Sequence, residues 1–140
     1  MGNIYLTWQD NRSGTFQNFS QKIDSSGEVQ WQENGILGGH SVGVEEGEGG
    51  FNFVVFELDS IGSRIYLQKF DSSGNKPWGD IGVLFYRKPR VLGGNSPLRI
   101  TDDSDGGAIM VFNYSEVEFG SYNIYAQKVS RNGILGEVIT

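Results

Sequence analysis

Apolar and polar residues alternate along this chain with a period of two, in short segments separated by glycine-rich turns. Alternation of that kind puts successive side chains on opposite faces of a strand, whereas a helix would repeat its apolar positions every three to four residues. Phe19, Gln21 and Ile23 share one face of such a segment. Tyr66, Gln68 and Phe70 repeat the arrangement, and so do Tyr125, Gln127 and Val129. Lys22, Lys69 and Lys128 fall on the opposite face. Read in this way, the pattern predicts eleven strands and no helix.

The strands belong to an internal repeat. Residues 18–31 (NFSQKIDSSGEVQW), 65–78 (IYLQKFDSSGNKPW) and 124–136 (IYAQKVSRNGILG) align, with the glutamines spaced 47 and 59 residues apart. Each is preceded by a Gly-led apolar run: 2–8 (GNIYLTW), 49–56 (GGFNFVVF) and 106–112 (GGAIMVF). Acidic, glycine-rich turns lie ahead of the second and third runs, at 45–50 (EEGEGG) and 102–107 (DDSDGG). A short alternating segment precedes each turn, with Val42 and Val44 in one copy matched to Leu98 and Ile100 in the other. A full unit therefore reads strand, acidic turn, strand, variable loop, strand, DSSG-type turn, short strand. The first unit lacks its leading strand. The chain is expected to form a single repeat domain over 1–140, with units at about 2–40, 41–94 and 95–140.

These residues resemble a repeat found in bacterial secreted and cell-surface proteins, whose arrays form β-propellers. The likeness rests on WQDNRSGT (8–15), IYAQK (124–128) and the two DSSG segments ending at Trp31 and Trp78. The Trp8, Asp10, Arg12 signature decays to Phe56 and Asp59 in the second copy and to Phe112 alone in the third. The resemblance implies an all-β fold of three four-stranded antiparallel propeller-type blades, and a secreted or cell-surface setting. It carries no catalytic motif. A β-trefoil, also built from three four-stranded repeats, is the alternative fold.

Composition narrows the chemistry. Twenty-one glycines fit many short strands joined by tight turns. With no cysteine, the chain has no disulfide framework, thiolate zinc site or cysteine nucleophile. A net charge of −6 argues against nucleic acid and against an anionic membrane surface as partners. No apolar run approaches the ~18 residues of a membrane span. The segment from Met1 has neither the charged n-region nor the apolar h-region of a signal peptide, so the chain is read as starting inside the fold.

Residues present in every copy are expected to build the copy. The repeated glutamines are predicted to be buried, with backbone partners in the adjacent blade, and Trp31 and Trp78 to pack between blades. DSSG is a hairpin turn whose Asp-to-Gly and Gly-to-Trp spacings differ from the sialidase Asp-box. His40, the single histidine, supports no triad or metal cluster. No metal site is assigned. Asp103 and Asp105 are the nearest approach to a calcium loop, and they are read as part of a solvated turn. No cofactor is expected and no catalytic residue is assigned.

One feature is confined to a single copy: residues 84–95 (LFYRKPRVLGGN), part of a stretch ten residues longer than its counterpart in the first copy. Phe85, Tyr86, Arg87, Lys88 and Arg90 are the candidate ligand-binding residues, read as a basic, aromatic loop for a glycan or an acidic protein.

The sequence is therefore read as a non-catalytic binding or scaffolding module. Two rival readings are a carbohydrate-active hydrolase with acids in a central cleft and a structural spacer in a larger surface protein. Exposed blade faces at both ends of a three-blade arc lead to the expectation of a homodimer closing a six-bladed ring.

Overall fold

The computed structural model describes residues 2–39, 42–58, 62–89, 99–114 and 123–139. The described residues contain eleven strands and no helix. These are β1 (Ile4–Asp10), β2 (Gln17–Ile23), β3 (Ile36–Leu37), β4 (Gly43–Glu45), β5 (Phe51–Leu58), β6 (Gly62–Phe70), β7 (Val83–Pro89), β8 (Arg99–Asp102), β9 (Ala108–Tyr114), β10 (Asn123–Val129) and β11 (Leu135–Ile139).

They form three antiparallel sheets. Sheet one is β1-β2-β3, sheet two is β4-β5-β6-β7, and sheet three is β8-β9-β10-β11. Each follows chain order, so neighbouring strands within a sheet are consecutive in the sequence. The sheets are not closed into one another, whereas a β-trefoil requires its hairpins to form a barrel; the trefoil alternative does not describe this chain.

Strand register fixes which residues are equivalent. Leu6 lies opposite Gln21, Phe53 opposite Gln68, and Met110 opposite Gln127. Trp8, opposite Phe19, then corresponds to Val55, opposite Tyr66, and to Phe112, opposite Tyr125. Phe56 is thus one residue out of phase with Trp8 and lies on the other face of its strand, where it is exposed. The leading strands shift too: Val44 pairs with Asn52 and Ile100 with Met110, so Val44 matches Thr101 rather than Ile100.

The core lies between sheets. Trp31, Phe53 and Phe70 form a buried cluster joining sheet one to sheet two, with Tyr5, Ile36 and Phe51 against it. Val54, Leu67, Phe85, Met110, Phe112 and Val129 join sheet two to sheet three. Full burial of each large side chain contributes about 2–3 kcal/mol. A single antiparallel sheet has two faces and no interior, so stacking its neighbour against it is what creates the core. The leading strands β4 and β8 lie beside one another, which brings the two acidic turns together.

Candidate functional site

The repeated glutamines are buried, as their apolar surroundings predict. Gln21 donates from Nε2 to the Gln32 carbonyl at 2.8 Å, Gln68 to that of Gly79 at 2.7 Å, and Gln127 to that of Gly136 at 3.1 Å. The Oε1 of Gln21 accepts the backbone N–H groups of Lys22 and Trp31, at 2.9 and 3.1 Å. These partners belong to the glutamine's own sheet, which corrects the expected bond to the next one. The side chain reaches the segment following the hairpin turn because that segment folds back over its own strand, within reach of a Gln at this position. In this way the amide holds the following tryptophan in place.

Trp31 and Trp78 make the crossing between sheets. Trp31 donates from its indole N–H to the Ser72 carbonyl at 3.2 Å, and Trp78 to the Arg131 carbonyl at 2.9 Å. Ser72 and Arg131 occupy the same position in successive hairpin turns. Each indole lies over the turn glycine of the next sheet: a Cβ on Gly74 would stand 3.0 Å from Trp31, and one on Gly133 2.9 Å from Trp78. Gly27, the same position in sheet one, has nothing within 4 Å. The third copy has Glu137 where the other two carry tryptophan.

The lysines form a second inter-sheet contact. Lys69 donates from Nζ to the Gly106 carbonyl of sheet three at 2.6 Å and pairs with Glu46 of its own sheet at 3.1 Å. Both charged side chains are buried. Lys22 reaches the Gly49 carbonyl of sheet two at 2.8 Å, and Lys128 pairs with Asp103 of its own sheet at 2.9 Å. Tyr5 and Asn52, equivalent by register, also cross: the Tyr5 hydroxyl donates to the Gly49 carbonyl at 2.9 Å and Asn52 Nδ2 to that of Gly107 at 3.1 Å. Burial, then the Glu45 carboxylate, raises the Tyr5 phenol above its usual pKa. The lysine role was missed in the sequence. Its signal was present, since a lysine follows the buried glutamine in all three copies.

The acids of the turns are engaged in local structure. Asp103 Oδ1 accepts the N–H groups of Asp105 and Gly107 at 2.9 and 2.7 Å, closing its own turn. Burial raises its pKa, but Lys128 and these donors outweigh that and hold the carboxyl below the usual range. Asp105 is exposed, and its carboxylate lies 3.8 Å from Arg131. Among the described residues no three acids or histidines converge on a point where a metal ion would sit. His40 lies outside the described residues.

Trp8, Asp10 and Arg12 form a clamp at one end of sheet one. Asp10 accepts from the Trp8 indole at 3.0 Å and from Arg12 Nε at 2.9 Å. Arg12 lies 4.0 Å from the centre of the Phe19 ring and donates to the Asn34 carbonyl at 2.7 Å. The Arg12 hydrogen bond lowers the Asp10 carboxyl to about 2. The signature thus ties the first hairpin loop to the segment entering β3.

The candidate ligand loop is placed differently from its expectation. Residues 83–89 form β7, paired with β6 from Gly62↔Pro89 to Leu67↔Val83, so this stretch is strand rather than loop. Phe85 is buried and meets Phe112 edge-on at 5.2 Å, which removes it from the candidate binding surface. Its position in a paired strand turns it into the core between sheets two and three. Tyr86, Arg87 and Lys88 follow on the same strand, and Arg90 lies outside the described residues.

Among the described residues, the outward faces of sheets one and three carry exposed apolar side chains. Val54 is 0% exposed between sheets two and three, while its equivalent Val111 on the far face of sheet three is 38% exposed. On the near face of sheet one Leu6 is 43% exposed, although its equivalents Phe53 and Met110 are both at 0%. No protein family, no curated protein and no solved structure matches this chain.

Proposed function

We propose that the chain is a non-catalytic scaffolding module of three propeller-type blades that assembles through its outward blade faces into a homodimeric six-bladed ring. The observation that carries this reading is the exposure of Leu6 and Val111, whose equivalents Phe53, Met110 and Val54 are fully buried at the internal junctions. Contiguous apolar faces of this kind mark interaction surfaces. Two arcs joined head to tail about a twofold axis cover both faces and leave neither open. The side-by-side placement of β4 and β8 supports blades arranged with their leading strands inward.

The junction between chains differs from the internal ones. Ile109 stands where Tyr5 and Asn52 donate across, and Glu137 stands where tryptophan docks. It therefore lacks both the polar donors and the indole, and is weaker than either internal junction. A scaffolding role also fits the use of the repeated polar residues, since Gln and turn Asp brace each sheet while Lys22 and Lys69 tie neighbouring sheets together. The basic residues Arg87, Lys88 and Arg90 are the proposed contacts for a protein or glycan.

The natural absence of cysteine permits a direct test. Leu6→Cys and Val111→Cys in one chain place thiols on the two surfaces that meet. Oxidation should give a covalent species of twice the chain mass; a chain that stays monomeric under oxidation overturns the reading.

A further inference from the structure

Among the described residues, sheet one has three strands where sheets two and three have four, and the difference is a strand beside the outer edge of β1. In the other sheets that place is taken by β4, beside β5, and by β8, beside β9. By register, Ile4, Tyr5, Leu6 and Thr7 match residues 51–54 of β5 and 108–111 of β9. The Val54 N–H donates to the Val42 carbonyl at 3.0 Å, and its equivalent on the open edge is the Thr7 N–H.

A second observation concerns charge. The residue directly after each leading strand is an acid that pairs with the lysine of the same sheet: Glu46 with Lys69 at 3.1 Å, Asp103 with Lys128 at 2.9 Å. Lys22 is 8% exposed and donates to the Gly49 carbonyl, yet among the described residues no carboxylate pairs with it. A buried ammonium ordinarily has an anionic partner. The open edge and the unpaired lysine thus lie in one sheet, at the two positions that a leading strand serves in the others.

We propose that the edge of β1 binds an extended segment of a partner protein, added antiparallel as a fourth strand, whose carboxylate lands on Lys22 Nζ. Main-chain hydrogen bonds supply affinity in such strand addition, and side-chain pockets supply the choice of sequence. The fitting segment carries small or aliphatic residues in alternation and ends in two acids. Residues 42–47 (VGVEEG) and 99–104 (RITDDS) of this chain show the type. The acid specifies register, because only one alignment brings it to Lys22, and a slip by one residue turns it to the other face. This site is an edge, whereas the ring proposed above uses sheet faces, so the two stand or fall separately.

The test is a labelled synthetic peptide with the sequence of residues 42–50, titrated into the full chain and followed by fluorescence anisotropy. Saturable binding is expected, with slowed hydrogen exchange at the Thr7 amide. Replacing the acid equivalent to Glu46 by glutamine in the peptide should weaken binding by about tenfold or more, since a charge-assisted bond to a buried ammonium is lost. That comparison leaves the protein unaltered, so folding does not confound it; Lys22→Met should produce the same loss from the other side. Equal affinity for the acid and amide peptides, or no saturable binding, overturns the proposal. Dissociation of a chain dimer by excess peptide also overturns it, because the edge would then belong to a second copy of this chain.

Discussion

The ammonium of Lys69 lies 2.6 Å from the Gly106 carbonyl of the next sheet and 3.1 Å from the Glu46 carboxylate of its own. Lys22 has the carbonyl of the next sheet, and Lys128 has the acid of its own. Three copies of one residue thus hold three states of the same contact, set by position in the stack.

Those states predict a graded series. Lys69→Met strands Glu46 as a buried uncompensated charge and should cost about 3–5 kcal/mol. Lys22→Met removes one of two donors to the Gly49 carbonyl, which keeps the Tyr5 hydroxyl, and should cost about 1 kcal/mol or less. Lys128 is half exposed but its partner Asp103 is buried and keeps only its two turn donors, so Lys128→Met should cost about 1–3 kcal/mol, less than Lys69→Met. Urea denaturation of the three variants checks the order. Equal losses would show that the inter-sheet contact does not set the energy.

The turn glycines make a matched pair. Gly27 and Gly74 both have φ of +86°, so alanine is strained at either. At Gly27 the new methyl meets nothing, and the cost should be backbone strain alone, about 1–2 kcal/mol. At Gly74 it would stand 2.4 Å from Ile36 Cδ1 and 3.0 Å from Trp31, so Gly74→Ala should cost a further 1–3 kcal/mol or so from overpacking. Matching melting temperatures for the two variants would show that Trp31 does not rest on this turn in solution.

Acid should loosen the fold in a defined window. The Arg12 hydrogen bond lowers Asp10 to about 2. Burial raises Asp71, but donors from Asn75, Ser73 and Gly74 more than offset it, and Asp103 is lowered by Lys128 and its turn in the same way. Each of these carboxyls ionises more readily in the folded chain than in the unfolded one. Their contribution is therefore complete above the unfolded pKa of about 4 and is lost as pH falls through the folded values. The melting temperature should drop between about pH 4 and pH 2, and the drop should be shallower in Asp103→Asn. A melting temperature that is flat across that interval would contradict the assignment.

Much of the fold was legible because period-two alternation and turn glycines are local signals. Eleven strands, the three copies and the burial of Gln21, Gln68 and Gln127 follow from them directly. Register was less legible. Phe56 was matched to Trp8 because both are aromatic near a strand end, yet a shift of one residue reverses the face, and pairing alone decides it. The stretch around Phe85 was read as loop from its basic residues, whereas pairing with β6 makes it a strand and turns Phe85 into the core. The destination of Lys69 depended on a neighbouring sheet, and no pattern within its own segment encodes that.

The account rests on stacking of equivalent sheets, with the outward faces of sheets one and three proposed as the surfaces that pair between chains. The most direct measurement is the mass of the chain in solution by static light scattering across a dilution series. Closure of two arcs predicts twice the 15.5 kDa chain mass, falling to the single-chain value in Val111→Glu, which buries a charge in the junction. A mass of 15.5 kDa for the unaltered chain at every concentration would contradict it.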